Sequence, residues 1–245
     1  MKIRQIMAEN RSNFKFKQFS LSHGNPGLKI STEACLFGAW ASLKARGNCL
    51  DIGTGCGLLA SMLAQANPSC NVKALEIHPG VANVAAENFN NSPFKERLQA
   101  IEANVLTFNS EEKFDFICSN PPFFTNHLAA SDEAKHMAIH ADHLSPADLA
   151  ASLDRLLTKE GEFAVLYPTD VLAQFEKSLQ EKGLYINEWQ HIHSHPNSPV
   201  LRVMASGSRV SNTPKKGHIC IKTAEGEYSP AFIELLRPYY IIFPS

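Results

Sequence analysis

Residues 118–124, Cys-Ser-Asn-Pro-Pro-Phe-Phe, follow an apolar run and cannot continue a helix or a central strand. They set one side-chain amide, Asn120, beside a proline-stiffened carbonyl at Pro121 and two aromatic rings, Phe123 and Phe124. An amide oxygen and a carbonyl oxygen held close together can each accept one N–H of a planar amino group. That grip frees the nitrogen lone pair for an electrophile. Phe123 offers a flat face for a heterocycle, worth ~1–3 kcal/mol per stacked base. Phe124 suits core packing at least as well.

A second chemical stretch lies upstream. Leu-Asp-Ile-Gly-Thr-Gly-Cys-Gly-Leu-Leu-Ala, residues 50–60, has the form D-x-G-x-G-x-G, with Asp51, Gly53, Gly55 and Gly57. Glycines in a strand-to-helix turn permit positive φ and close backbone approach to a ligand. The dinucleotide fingerprint needs G-x-G-x-x-G, and position 58 is Leu. The pattern resembles the first motif of Rossmann-like S-adenosylmethionine methyltransferases. Glu76 follows at the end of the next apolar run, where a carboxylate can accept from both ribose hydroxyls. Asn104 ends a third run and is placed to meet an adenine. With those neighbours, Ser-Asn-Pro-Pro-Phe matches the [DNS]-P-P-[FYW] motif of amino-group methyltransferases. Asn120 then belongs to both the catalytic and the cofactor-binding sets.

These residues need a scaffold. From Asn48 onward strand-like runs alternate with helix-like ones, as in Asn-Cys-Leu-Asp-Ile-Gly followed by Gly-Leu-Leu-Ala-Ser-Met-Leu-Ala-Gln-Ala-Asn. Such alternation predicts a parallel sheet covered on both faces, with the ligand beyond the strands' carboxyl ends. Ser145 and Pro146 signal a helix start, and Gly161 reads as its stop. Residues 200–210 and 217–223 are late strands joined without a helix, which predicts an antiparallel hairpin. The expected fold is α/β: a Rossmann-like class I methyltransferase with a mostly parallel, doubly wound seven-stranded sheet and an antiparallel C-terminal edge hairpin. Residues 1–30 read as a basic N-terminal extension, and residues 31–245 as the methyltransferase domain.

Composition narrows the classes. At 44% hydrophobic residues the chain can build a real core. No run approaches the roughly 20 apolar residues of a membrane helix. The N-terminus lacks the apolar centre of a signal peptide, so a cytoplasmic address is expected. Six scattered cysteines without a C-x-x-C pair read as reduced thiols. Net charge is only −1, but residues 1–29 hold six basic residues against one acidic, and residues 197–223 hold five against none. Two basic segments flank an acidic middle, an arrangement that suits a polyanion. No metal is expected: His136 and His140 share a helix face without a third ligand, and His191, His193 and His195 alternate as exposed strand residues do. RNA contact from His140 is one further reading.

Five stretches together resemble the bacterial valine-tRNA adenine-N6 methyltransferases: residues 14–23, 28–40, 50–60, 119–124 and 227–243. The resemblance runs nearly the full length. It implies S-adenosylmethionine as cofactor, tRNA as partner, and methylation of the exocyclic N6 amine of adenosine 37 beside the anticodon. It places Asn120, Pro121 and Phe123 at the reacting amine, and Thr32 near the amino-acid end of the cofactor; Thr32 serves equally well as a helix cap. The two basic segments would hold RNA phosphates through Lys15, Lys17, Arg202, Lys215 and Lys216. The oligomeric state stays open.

The same residues leave rivals. Asn-Pro-Pro-Phe also suits amino groups of other RNA bases or of a protein glutamine. A non-catalytic RNA-binding protein would keep the basic segments without needing Asn120.

Overall fold

A computed structural model describes residues 13–23, 30–121 and 144–244. The chain opens with a small hairpin of β1 (Asn13–Lys15) and β2 (Ser20–Ser22), paired antiparallel. Helix α1 (Thr32–Ser42) follows, then β3 (Asn48–Ile52), α2 (Leu58–Ala66), β4 (Asn71–Glu76), α3 (Pro79–Asn90), β5 (Leu98–Glu102) and β6 (Phe114–Ser119). After the next described segment begins come α4 (Pro146–Leu156), β7 (Leu157–Tyr167), α5 (Thr169–Gln180), β8 (Tyr185–His193), β9 (Val200–Ser208), β10 (Lys215–Cys220) and α6 (Pro230–Leu236).

Eight of these strands form one sheet in the order β10-β8-β9-β7-β6-β3-β4-β5. The crossovers through α2, α3, α4 and α5 make their strands parallel, and β9 alone runs against both its neighbours. Two buried layers sandwich the sheet. One holds Leu36, Phe37, Met62 and Phe232 from α1, α2 and α6; the other holds Leu149, Leu153, Phe175 and Leu179 from α4 and α5. The doubly wound α/β expectation is thus met.

The late strands differ from expectation. The sheet has eight strands rather than seven, and residues 200–210 and 217–223 do not pair as a hairpin. β9 inserts between β7 and β8, while β10 lies beyond β8 and runs parallel to it. The composition explains the swap. β9 buries Val203, Met204 and Ala205, and a Cβ at Gly207 would sit 1.9 Å from the Tyr185 carbonyl oxygen, so the strand belongs inside. β10 begins with exposed Lys215 and Lys216, charges that suit an edge. The antiparallel hairpin is instead β8–β9, turned by Asn197 at φ 64°.

Gly161 also changes role. Ser145 caps α4 as expected, accepting from the Asp148 N–H at 3.1 Å, but the helix stops at Leu156 and Gly161 lies inside β7. There the pairing with β6 shifts register, and a Cβ would come within 3.0 Å of the Phe114 carbonyl oxygen. The glycine serves a strand irregularity.

The described part of residues 1–30 packs into the same core as the rest. Phe16, Phe19 and Leu21 are buried, Phe16 stacks on Phe19 at 4.5 Å, and the Lys17 N–H donates to the Tyr239 carbonyl at 2.8 Å.

Candidate active site

β3 runs out at Ile52, and the chain must reverse into α2 within five residues. Gly53, Gly55 and Gly57 take φ of 72°, 59° and 87°, a region costly for any residue with a side chain. The Gly53 and Thr54 N–H groups both donate to the Leu75 carbonyl at 2.9 Å, which fixes the loop against β4. A Cβ at Gly57 would lie 2.4 Å from the Phe89 ring, whereas one at Gly53 would meet nothing within 4 Å. The loop is packed tight on its helix side and open at its first glycine.

Two carboxylates shape this loop in opposite ways. Asp51 is fully buried behind it: Oδ2 accepts from the Thr54 hydroxyl at 2.6 Å and the Ala60 N–H at 3.2 Å, and Oδ1 faces the Cys118 thiol at 3.8 Å. Burial pushes its pKa up to about 6 against the pull of those donors. Expected among the cofactor ligands, Asp51 sits with its oxygens engaged inside the protein and braces the turn. Glu76 ends β4, with Oε2 accepting from the Gly55 N–H at 3.0 Å and Oε1 from the His78 N–H at 3.1 Å. One donor per oxygen fixes the carboxylate's orientation and leaves acceptor capacity for two hydroxyls.

Next to β3 on the other side, β6 delivers the amide. Ser119 pairs with Ile52, and its hydroxyl donates to the Ile52 carbonyl at 2.8 Å. Asn120 therefore leaves the sheet one strand away from Gly53, half-buried, and Pro121 behind it is buried. Phe123, Phe124, His136, His140 and His143 lie outside the described residues.

A glycine turn, an oriented carboxylate at the end of the next strand, and an Asn-Pro pair at the end of the strand on the other side thus converge on one sheet edge. A family model described as methyltransferase small domain matches residues 35–147. The tRNA1(Val) (adenine(37)-N6)-methyltransferase of Bacteroides thetaiotaomicron is 37% identical over 229 residues, covering 93% of this chain and 97% of its own. That of Pseudoalteromonas translucida is 33% identical over 230 residues, covering 94% and 99%.

The chain belongs to this methyltransferase family.

Solved structures agree on the fold. A predicted O-methyltransferase from Agrobacterium tumefaciens superposes with a TM-score of 0.66 at 14% identity, over 85% of this chain and 96% of its own. The glycopeptide N-methyltransferase MtfA, in complex with S-adenosylmethionine, reaches 0.53 at 14% identity, over 74% and 88%. The architecture is that of S-adenosylmethionine-dependent methyltransferases, and the residues here fit that cofactor. The space open at Gly53 admits a ligand against bare backbone, and Glu76 presents a pre-oriented carboxylate beside it.

The remaining expected residues fall into place less evenly. Ser31, not Thr32, caps α1, accepting from the Ala34 N–H at 3.1 Å, so the exposed Thr32 is not needed as a cap. Asn104 lies two residues past β5, half-buried, with Oδ1 taking the Leu106 N–H at 2.9 Å, which fixes the orientation of its amide. The five basic candidates lie on the N-terminal hairpin, β9 and β10. Lys15 is exposed on the N-terminal hairpin, and Lys17 Nζ donates to the Arg237 carbonyl at 2.7 Å. Arg202 is half-buried on β9, and Lys215 and Lys216 sit on β10 at the far edge.

Sequence reasoning missed the braces. Buried Asn88 donates to the Cys56 carbonyl at 2.8 Å and the Ser22 carbonyl at 3.0 Å, and accepts from the Ser22 N–H at 2.9 Å. It ties the glycine loop to the N-terminal hairpin. Arg155 of α4 donates to the carbonyls of Val105 and Phe108, holding the segment that follows Asn104. Three asparagines lie within residues 88–91, and only the inward face of α3 distinguishes Asn88. Among the described residues no group of three or more His, Cys, Asp or Glu is arranged to hold a metal ion, and no helix is long and apolar enough to cross a membrane.

Proposed function

We propose that this protein methylates the exocyclic N6 amine of adenosine 37 in valine tRNA, using S-adenosylmethionine. The observation that carries this reading is the placement of Asn120 and Pro121 one strand from the glycine turn, in a chain that matches relatives of that activity over nearly its whole length.

The cofactor, when bound, supplies a methyl group on a positively charged sulfur. Glu76 would hold its ribose through the two oxygens that Gly55 and His78 orient, and the Gly53–Gly57 backbone would pass beneath it. Asn104 would meet its adenine through the side-chain amide, and Thr32 would stand near its amino-acid end.

At the substrate, the adenine amine is conjugated with the ring and a poor nucleophile. The Asn120 side-chain oxygen and the Pro121 carbonyl each accept one of its two N–H bonds. That favours a pyramidal nitrogen with its lone pair exposed. Phe123 supports the base by stacking. The amine proton leaves to water after transfer, so no strong general base is required, and positioning supplies much of the rate. The target base must be out of its stack, as in a loop or after flipping. A cytoplasmic location follows from a tRNA substrate.

The test is to incubate the protein with total tRNA and methyl-labelled cofactor, then digest to nucleosides. Label in N6-methyladenosine from valine tRNA is the expected result. Label in another base or in protein glutamine would move the activity elsewhere within the same chemistry. RNA retention without transfer would make the protein a binder.

A further inference from the structure

The outer end of the sheet carries a surface that the reading above leaves unused. β8 and β10 pair in register, so Trp189 lies beside Lys216, His191 beside His218, and His193 beside Cys220, all on one face. Among the described residues, α6 packs on β10 from the opposite face, in the layer that holds Ile219 and Phe232. α5 reaches β8 and β9 but lies inward of β10. Lys216 and His218 are exposed, and Trp189, His191 and His193 are half-buried.

This face has a composition unlike the rest of the sheet. It offers an indole, three imidazoles and an ammonium, and none of these strand residues is acidic. Lys216 Nζ sits 5.2 Å from the Trp189 ring centre, which holds the cation over the face. The Trp189 and His191 rings are 6.5 Å apart, and so are those of His193 and His218. His193 Nδ1 meets the Ser198 carbonyl at 2.7 Å, and His191 Nδ1 meets the Gly217 carbonyl at 3.4 Å. A carbonyl only accepts, so Nδ1 is the donor in each contact and Nε2 is the ring's other hydrogen-bonding atom. An ammonium pairs with phosphate, an imidazole nitrogen bonds a ribose 2′-hydroxyl, and the exposed His218 can stack on an unpaired base.

Resting on the proposed tRNA substrate, we infer that the open β8–β10 face is where tRNA docks outside the target nucleotide. Four strand spacings separate β10 from β6, so this face lies roughly 20 Å across the sheet from Asn120. That is a span over which an RNA segment engages backbone contacts while one base enters the active site. The pairing also divides two neighbours. Lys215 lies beside Glu188 on the other face, the side where Lys44 binds Glu188 at 2.5 Å. Lys216 is therefore an RNA contact and Lys215 is not.

The test compares Lys216→Glu with Lys215→Glu, which impose the same charge change one residue apart on opposite faces. tRNA affinity is measured by filter binding across a salt series near physiological ionic strength, where exposed charges beyond ~8 Å are screened. Cofactor affinity and sedimentation serve as controls. Lys216→Glu should weaken tRNA binding about tenfold and lower the salt slope by about one, while Lys215→Glu changes affinity less than about twofold. If Lys216→Glu fails to fold, Lys216→Ala answers in the same assay. Unchanged binding in the Lys216 variant, or equal loss in both variants, overturns the inference while leaving tRNA methylation by the wild type intact. A change in sedimentation would instead make the face a contact between two copies of this chain. Should the wild type neither bind nor methylate tRNA, the proposed function falls as well.

Discussion

The Ser119 hydroxyl donates to the Ile52 carbonyl at 2.8 Å, joining the ends of two neighbouring strands. One strand leads into Asn120 and the other into Gly53, so this bond sets the spacing between the amide that would grip the amine and the loop that would hold the cofactor. Ser119→Ala should cost about 1 kcal/mol of stability in denaturant unfolding, the usual net worth of such a bond. The same change should lower kcat more than it raises the KM for cofactor, because it loosens the relation between the two halves rather than either half alone.

Glu76 is the carboxylate with oxygens oriented by the Gly55 and His78 N–H groups. Glu76→Gln keeps the shape but removes the charge and one acceptor. Cofactor affinity, read by calorimetry, should fall about tenfold to a hundredfold, the worth of charge-assisted hydrogen bonds. tRNA affinity should be unaffected.

Gly53 and Gly57 both have positive φ but different surroundings. Gly57→Ala forces a methyl against the Phe89 ring, 2.4 Å away, and should cost more than about 2 kcal/mol of stability. Gly53→Ala meets no neighbour, so only backbone strain of about 1–2 kcal/mol remains. The order should invert for ligand binding: the Gly53 variant, still folded, should lose cofactor affinity because its methyl fills the open space. Thermal unfolding and calorimetry on the two variants check both statements.

Asp51 titrates near pH 6 in the folded protein, against 3.8 ordinarily. The folded state therefore keeps a proton that the unfolded chain gives up, and stability falls as pH rises from about 4 to about 6. Above pH 6 the penalty is constant. The difference in unfolding free energy between wild type and Asp51→Asn should slope across that window and be flat above it. The asparagine's own hydrogen bonds set the offset, not the slope. Denaturant unfolding at pH 4, 5, 6 and 7 measures it.

Much of this site is legible in the sequence because its geometry depends on residue types that have few other uses. Three glycines at alternate positions imply positive φ, and all three have it. A carboxylate ending the second strand of the alternation and an Asn-Pro pair ending the fourth follow from periodicity, and Glu76 and Asn120 lie there. What periodicity cannot carry is strand order. Residues 200–208 and 215–220 look alike as strands, and only tertiary packing around Gly207 and the edge position of Lys215 and Lys216 decide which one goes inside. Likewise Asp51 belongs to the motif, but its burial shows only when Cys118 and Ala60 close around it. Asn88 and Arg155 act through carbonyls far away in sequence, and nothing local marks them.

The central claim is tested most directly by Asn120→Ala in a single-turnover assay with methyl-labelled cofactor and valine tRNA. The transfer rate should fall roughly 10²–10³-fold, the usual loss when a preorganised polar group at a reacting centre is removed. Cofactor affinity should fall far less than the transfer rate, since Glu76 and the glycine loop remain. A variant that transfers methyl groups at the wild-type rate would contradict the account.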